Sequence, residues 1–257
     1  MITTLGGFIT KVKAQHKAWG QPLNVWFRGE PDCLTRLTPK LYRPKPDGTY
    51  HNENKLLQMF RMKASSFTLG TIPPRGDTDE WLFLAQHVGL PTRLLDWTES
   101  AILALYFSLK CEKPAVWMIR PMSLNKYVLE TLRSQKKVEE IDEFPLTWFC
   151  PPDGRINIGH ENIRGAWEPA YNGLELPVAV HPTYIHPRMA SQRSTFTVHG
   201  HMRDSLDNLV PSDILAKLII KPSARKSILE NLRVLGIQEA TAYPDLDGLA
   251  RELSLIY

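Results

Sequence analysis

Apolar residues recur along this chain at two spacings, every three to four positions and every second position, and the changes between them predict its elements. Leu5, Phe8, Ile9 and Val12 share a helical face, with Thr3 or Thr4 as N-cap, and that helix runs to about Trp19. Residues 23–28 (LNVWFR) follow as a short strand stopped by Gly29. A polar loop over 31–48 leads into a helix over 53–67, where Leu56, Leu57, Phe60 and Ala64 share a face. Asp77 or Thr78 then caps a helix over 80–88, which Gly89 and Pro91 end. Thr98 is the expected N-cap of a helix over 99–109, with Glu99 suiting the dipole in its first turn. The run AVWMI over 115–119 is apolar throughout, as an interior strand requires.

Beyond that point the periodicity weakens. A charged helix is expected from Lys126 to about Glu140, followed by a Pro- and Gly-rich stretch to Asn172 with no readable pattern. Short strands are predicted at 176–181, 194–199, 217–221 and 238–243, a helix at 224–235, and a last helix after Pro244. Helices and short strands mix without a regular βαβ period, so the predicted class is α+β, with helices around a mixed or antiparallel sheet. One domain is expected over 22–257, with residues 1–21 as an N-terminal helix packed on it. No internal repeat or low-complexity segment interrupts it.

Composition sharpens this picture only modestly. A chain of 257 residues that is 43% hydrophobic can bury a sizeable core. Its net charge of +4 suits an anionic ligand without demanding nucleic acid. The three cysteines, Cys33, Cys111 and Cys150, form no CxxC pair, so reduced thiols are expected. No apolar run reaches the eighteen or so residues of a membrane span, and residues 1–13 lack a signal peptide's apolar stretch. A cytoplasmic protein without membrane contact is the expectation.

Candidate chemistry concentrates in Leu84 to Thr98, LAQHVGLPTRLLDWT, where several polar groups stand among apolar ones. Buried without partners, each would cost roughly 1–3 kcal/mol, so the segment is either a hydrogen-bond network or a site. Gln86 and His87 end their helix, and an imidazole there can exchange a proton near neutral pH. Arg93 and Asp96 are close enough in sequence to pair and brace the loop, or to orient His87 and bind substrate together with Thr92. Arg28, at a strand end before Gly29, can offer its fork to a phosphate or carboxylate, or pair with Glu30 or Asp96. Arg188 and Gln192 lie four apart on a helical turn and can reach one polar ligand or cap a sheet edge. His199 and His201 flank Gly200 but lack a third ligand, so no metal site is expected. Asp245 and Asp247 read as helix caps. No Gly-rich phosphate loop, GxSxG elbow or HExxH motif is present.

Three segments together resemble a known family. Trp26-Phe27-Arg28-Gly29-Glu30, the run from Ala85 to Thr98, and Ala104-Leu105-Tyr106-Phe107 look like the FRG domain, named for its Phe/Tyr-Arg-Gly motif. The segment 188–196 (RMASQRSTF), with Thr197 and His199, is similar to its Arg-x-x-x-Gln-x-x-x-Phe stretch, and Pro244 to Leu249 to its usual ending. The pattern departs at Ser194, where a glycine often stands, and does not align over 144–173. FRG domains occur in bacterial and phage proteins, often beside defence or mobile-element genes, which implies a toxin or effector in phage–bacterium conflict.

The Arg28 strand also resembles the first motif of ADP-ribosyltransferases, whose strand arginine holds NAD. On that likeness Ser194 to Thr197, with Thr195 in the pocket, would supply the second motif, and Glu239 the catalytic carboxylate. Two functional expectations follow. One is an ADP-ribosyltransferase-like enzyme without a tightly bound cofactor. It uses NAD as substrate through Arg28, Gly29, Gln86, Thr92, Arg93, Arg188, Gln192 and Thr195, with His87, Asp96 or Glu239 as catalytic groups and a macromolecule as acceptor. The other is a non-enzymatic binding module that senses a phage protein or a nucleic acid, using the basic loop Arg36, Lys40, Arg43 and Lys45 around Tyr42. An antitoxin or a phage protein is the protein partner expected.

Overall fold

A computed structural model describes residues 1–30, 32–64, 66–67, 73–74, 78–134, 175–182, 184 and 187–256. Helix α1, Leu5–Ala18, opens it, and the Thr4 hydroxyl accepts the Gly7 backbone N–H at 3.0 Å as its N-cap. Strand β1, Trp26–Glu30, is followed by helices α2, Glu53–Ala64, and α3, Thr78–His87. Strand β2, Leu94–Thr98, leads into α4, Ala101–Ser108, then β3, Ala115–Ile119, and α5, Pro121–Ser134. After the region 135–174 come β4, Val178–Val180, α6, Pro187–Ser191, β5, Ser194–Val198, and α7, Leu206–Leu209. Strand β6, Leu215–Ile219, and helices α8, Arg225–Val234, α9, Glu239–Ala242, and α10, Leu246–Ile256, complete the chain.

The six strands form one sheet in the order β4-β5-β2-β1-β3-β6, with every neighbouring pair antiparallel. The chain is thus α+β, as its patterning predicts, with an antiparallel rather than mixed sheet. Alternation along β1 and β3 divides the core. Phe27, Val116 and Met118 join Phe8 of α1, Leu105 of α4 and Ile228 of α8 on one side. Trp26, Trp117 and Ile119 pack with Leu124 and Val128 of α5 on the other. At the β4 edge Asn125 of α5 bonds the strand backbone as a neighbouring strand would. Its amide donates to the Ala179 carbonyl at 3.0 Å and accepts the Ala179 N–H at 2.8 Å.

Three local expectations are corrected. The first strand runs through Gly29 rather than stopping there. It can do so because α4 crosses directly above, and a Cβ at Gly29 would lie 2.1 Å from the Ala104 carbonyl oxygen. Thr98 is not a helix cap but the last residue of β2, a strand whose apolar run LLDWT lies too close to the Gly89–Pro91 punctuation to be read as one. Ser100 is the N-cap, accepting the Leu103 N–H at 3.3 Å, while the Thr98 hydroxyl accepts the Ser100 N–H at 3.0 Å. The stretch 238–243 is not a strand: it holds α9, where Ala240 and Ala242 favour a helix and the Gln238 N–H donates to the Thr241 hydroxyl at 3.4 Å. Asp77, Cys150 and the expected helix end near Glu140 lie outside the described residues. Among the described residues no helix is long and apolar enough to cross a membrane.

Candidate functional site

Strands β1 and β2 meet in register at a single pair, Phe27 with Thr98, and then part. Arg28 stands where they separate. Its Nη1 donates to the Asp96 backbone carbonyl at 2.7 Å and its Nε to Glu30 Oε1 at 2.5 Å. Glu30 is buried, with a side chain 4% exposed, whereas Asp96 is open to solvent. Burial works against the Arg28 charge, but the Glu30 and Asp96 carboxylates outweigh it and raise the guanidinium pKa. Arg28 is therefore paired within the fold, as the ion-pair expectation has it, and it also lines an open cleft of about 310 Å³. That volume is at the lower end of the range for small-molecule sites.

Around Arg28 the cleft collects residues from elements far apart in sequence. Gln86 and His87 arrive from the end of α3, Asp96 and Thr98 from β2, and Lys40 from the 3-10 turn Lys40–Tyr42. Arg188 and Gln192 come from α6 and the turn after it, Phe107 from α4, and Tyr243 from the end of α9. The Asp96 carboxylate is fixed from two sides, by the Gln86 amide at 2.9 Å and by Arg28 Nη1 at 3.6 Å. Gln86 is in turn held by the buried Thr92 hydroxyl, which donates to its Oε1. The result is a carboxylate of set position beside an arginine, in a cleft that Lys40 and Arg188 also line.

At the other end, the Arg188 guanidinium lies over the Tyr243 ring, 4.5 Å from its centroid, and Phe107 meets the same ring edge-on at 5.9 Å. Gln192 ties this wall to the sheet. Its Nε2 donates to the Ala242 carbonyl at 2.8 Å, and its own carbonyl accepts the Thr98 hydroxyl at 2.7 Å.

Several predicted site residues stand elsewhere. Arg93 does not pair with Asp96: three residues apart in extended chain, their side chains leave the strand on opposite sides. Arg93 instead binds buried Glu53 of α2 through Nε at 2.8 Å, and its Nη1 donates to the His199 carbonyl at 3.2 Å. Thr92 is fully buried and acts on the cleft only through Gln86. Thr195 pairs with Trp97 across the sheet and is fully buried, outside the cleft lining. Glu239 lines a separate cavity of about 350 Å³, with Leu229 and Ile237. It accepts bonds from the Tyr106 hydroxyl at 2.7 Å, Lys110 Nζ at 2.9 Å and Arg251 Nε at 3.2 Å. Burial opposes its charge, but the bonds from Lys110 and Tyr106 hold the carboxyl below its usual range.

His199 is fully buried, and its pKa is pushed down to about 3, by burial first and then by Arg93 and Arg28. Tyr42 packs edge-on to it at 6.4 Å and is pushed up to about 12, chiefly by burial. The basic loop is mostly engaged in the fold. Arg36 binds Asn208 and Asp207, and Arg43 donates to the Thr38 carbonyl at 2.9 Å. Among the described residues no group of three or more His, Cys, Asp or Glu side chains could hold a metal ion.

Patterning missed Phe107 and Tyr243 as cleft residues. Nothing local separates them from ordinary core aromatics, and only the α4 and α9 placements bring them together. Residues 23–115 match the family model described as FRG domain. No curated protein and no solved structure matches the chain.

Proposed function

We propose, from the premise that residues 23–115 are an FRG domain, that the cleft around Arg28 binds a nucleotide and transfers its ADP-ribosyl part, with NAD as the substrate. One observation carries this reading: Arg28, Gln86, His87, Asp96, Arg188 and Gln192 line a single cleft although they span 165 positions of sequence. Arg28 and Lys40 supply positive charge for phosphates, and the Arg28 fork is already oriented by Glu30.

Asp96 is an exposed carboxylate lining this cleft, so it takes the catalytic part expected of Asp96 or Glu239. Set close to the ribose, it stabilises the positive charge that develops there as the bond to nicotinamide breaks. Nicotinamide leaves with that bond's electron pair, the acceptor's nucleophile bonds to the same ribose carbon, and its proton passes to His87 or to water. Such a transferase fits a toxin or effector in phage–bacterium conflict, the setting that the FRG resemblance implies.

The test is to incubate the protein with labelled NAD and candidate protein or nucleic-acid acceptors, measuring nicotinamide release and label transfer. Turnover that is lost in Asp96→Asn and Arg28→Ala is the expected result. No release with any acceptor, together with no NAD binding, sinks the proposal.

A further inference from the structure

The cleft has two chemically different ends, and this bears on what kind of molecule it selects. One end is ionic, with Arg28, Gln86 and Asp96 bound to one another. The other is flat and aromatic. The Arg188 guanidinium rests on the Tyr243 ring at 4.5 Å, with Phe107 edge-on behind it. A guanidinium placed over an aromatic ring can stack a purine or pyridine ring, since every such ring has a π face to offer.

Tyr243 itself is held from outside the cleft. Lys110 Nζ lies 4.4 Å and the Arg251 guanidinium 5.1 Å from its ring centroid. Both cations are bound by one carboxylate, Glu239, which also accepts the Tyr106 hydroxyl. A chain of contacts thus runs from Glu239 through Lys110 and Arg251 to Tyr243, and from Tyr243 to Arg188 in the cleft.

Building on the nucleotide reading above, we propose that Arg188 and Tyr243 form a base subsite beside the Arg28 anion subsite, so that the ligand class is a nucleoside phosphate. Glu239 is a positioning residue for that subsite. It touches no ligand, and it acts by holding the two cations that fix the Tyr243 ring.

Calorimetric titration of the full chain with ADP, pyrophosphate and adenosine tests this. ADP is expected to bind about tenfold tighter than pyrophosphate, the difference one stacked base makes. Arg188→Gln and Glu239→Gln should each weaken ADP about tenfold and leave pyrophosphate unchanged. Arg28→Lys should weaken both ligands together. Because Glu239→Gln removes an ionic contact, its melting temperature is measured alongside, and Lys110→Met provides a second route to the same selective loss of ADP. If Arg188→Gln spares ADP or weakens pyrophosphate equally, the base subsite is wrong while the nucleotide reading stands. If Arg188→Gln acts as expected but Glu239→Gln and Lys110→Met do not, the positioning role fails. A protein that binds none of the three ligands overturns the nucleotide reading and this inference together.

Discussion

Two arginines of the FRG-matched region, Arg28 and Arg93, take opposite roles, and burial of their surroundings separates them. Arg28 keeps one side on the cleft, whereas Arg93 and Glu53 are sealed, each side chain only 8% exposed. Removing one partner from such a pair strands a charge where water cannot reach it. Arg93→Ala should therefore cost about 3–5 kcal/mol in urea unfolding. The double replacement Glu53→Leu with Arg93→Met should recover most of that loss; a single variant as stable as the wild type contradicts the sealed pair. His199, beside Arg93, carries a pH dependence of definite sign. Its folded pKa of about 3 lies below the ordinary 6.5, so between those values the unfolded chain binds the extra proton. The stability it contributes is complete above about pH 6.5 and is lost as pH falls toward 3. Urea midpoints measured from pH 7 to pH 4 should fall, and His199→Phe should flatten the fall over that window.

Among the elements, the contact of α4 with β1 is the tightest constraint near the site. The Phe-Arg-Gly motif needs its glycine because a Cβ at Gly29 would sit 2.1 Å from the Ala104 carbonyl oxygen and 2.8 Å from the Ser108 nitrogen, both helix backbone. A whole helix must shift to admit a methyl group, so Gly29→Ala should destabilise by at least the roughly 1–3 kcal/mol typical of overpacking. It should also disturb Arg28 beside it. The check is a lowered melting temperature together with weakened nucleotide binding; a variant that melts and binds like the wild type disproves the close approach. The strand β2 was hidden in sequence for a related reason. Its residues satisfy strand pairing with β5, more than ninety positions later, so no local signal announces them. Glu239 misled in the reverse direction, since a short alanine-containing stretch near the chain's end suits strand or helix until α10 packs on it. There Glu252 accepts the Ala240 N–H at 2.8 Å.

For the molecule as a whole, the cleft joins two parts of the chain across one sheet. The matched FRG region contributes Arg28, Gln86, His87 and Asp96, and the later chain contributes Arg188, Gln192 and Tyr243. A ligand bridging them should stabilise the fold by mass action: ADP at a hundred times its Kd adds about 2.7 kcal/mol. For a chain this size that is a rise of roughly 5–10 °C in Tm, which Arg28→Ala should abolish. No rise in the wild type would mean that ADP does not bind the folded cleft. Sequence alone determined the α+β class, the helices with strong 3.6-residue periodicity such as α1 and α8, the interior strand β3 and the FRG motif. These depend on local spacing and on residue types whose chemistry is independent of context. Only the tertiary structure decided which polar groups share a cleft and which are sealed. It sent Arg93 to Glu53, and it left Asp96 as the open carboxylate and Glu239 behind the Tyr243 wall. Burial and pairing are properties of neighbours in space, and for these residues the decisive neighbours lie tens to hundreds of positions away.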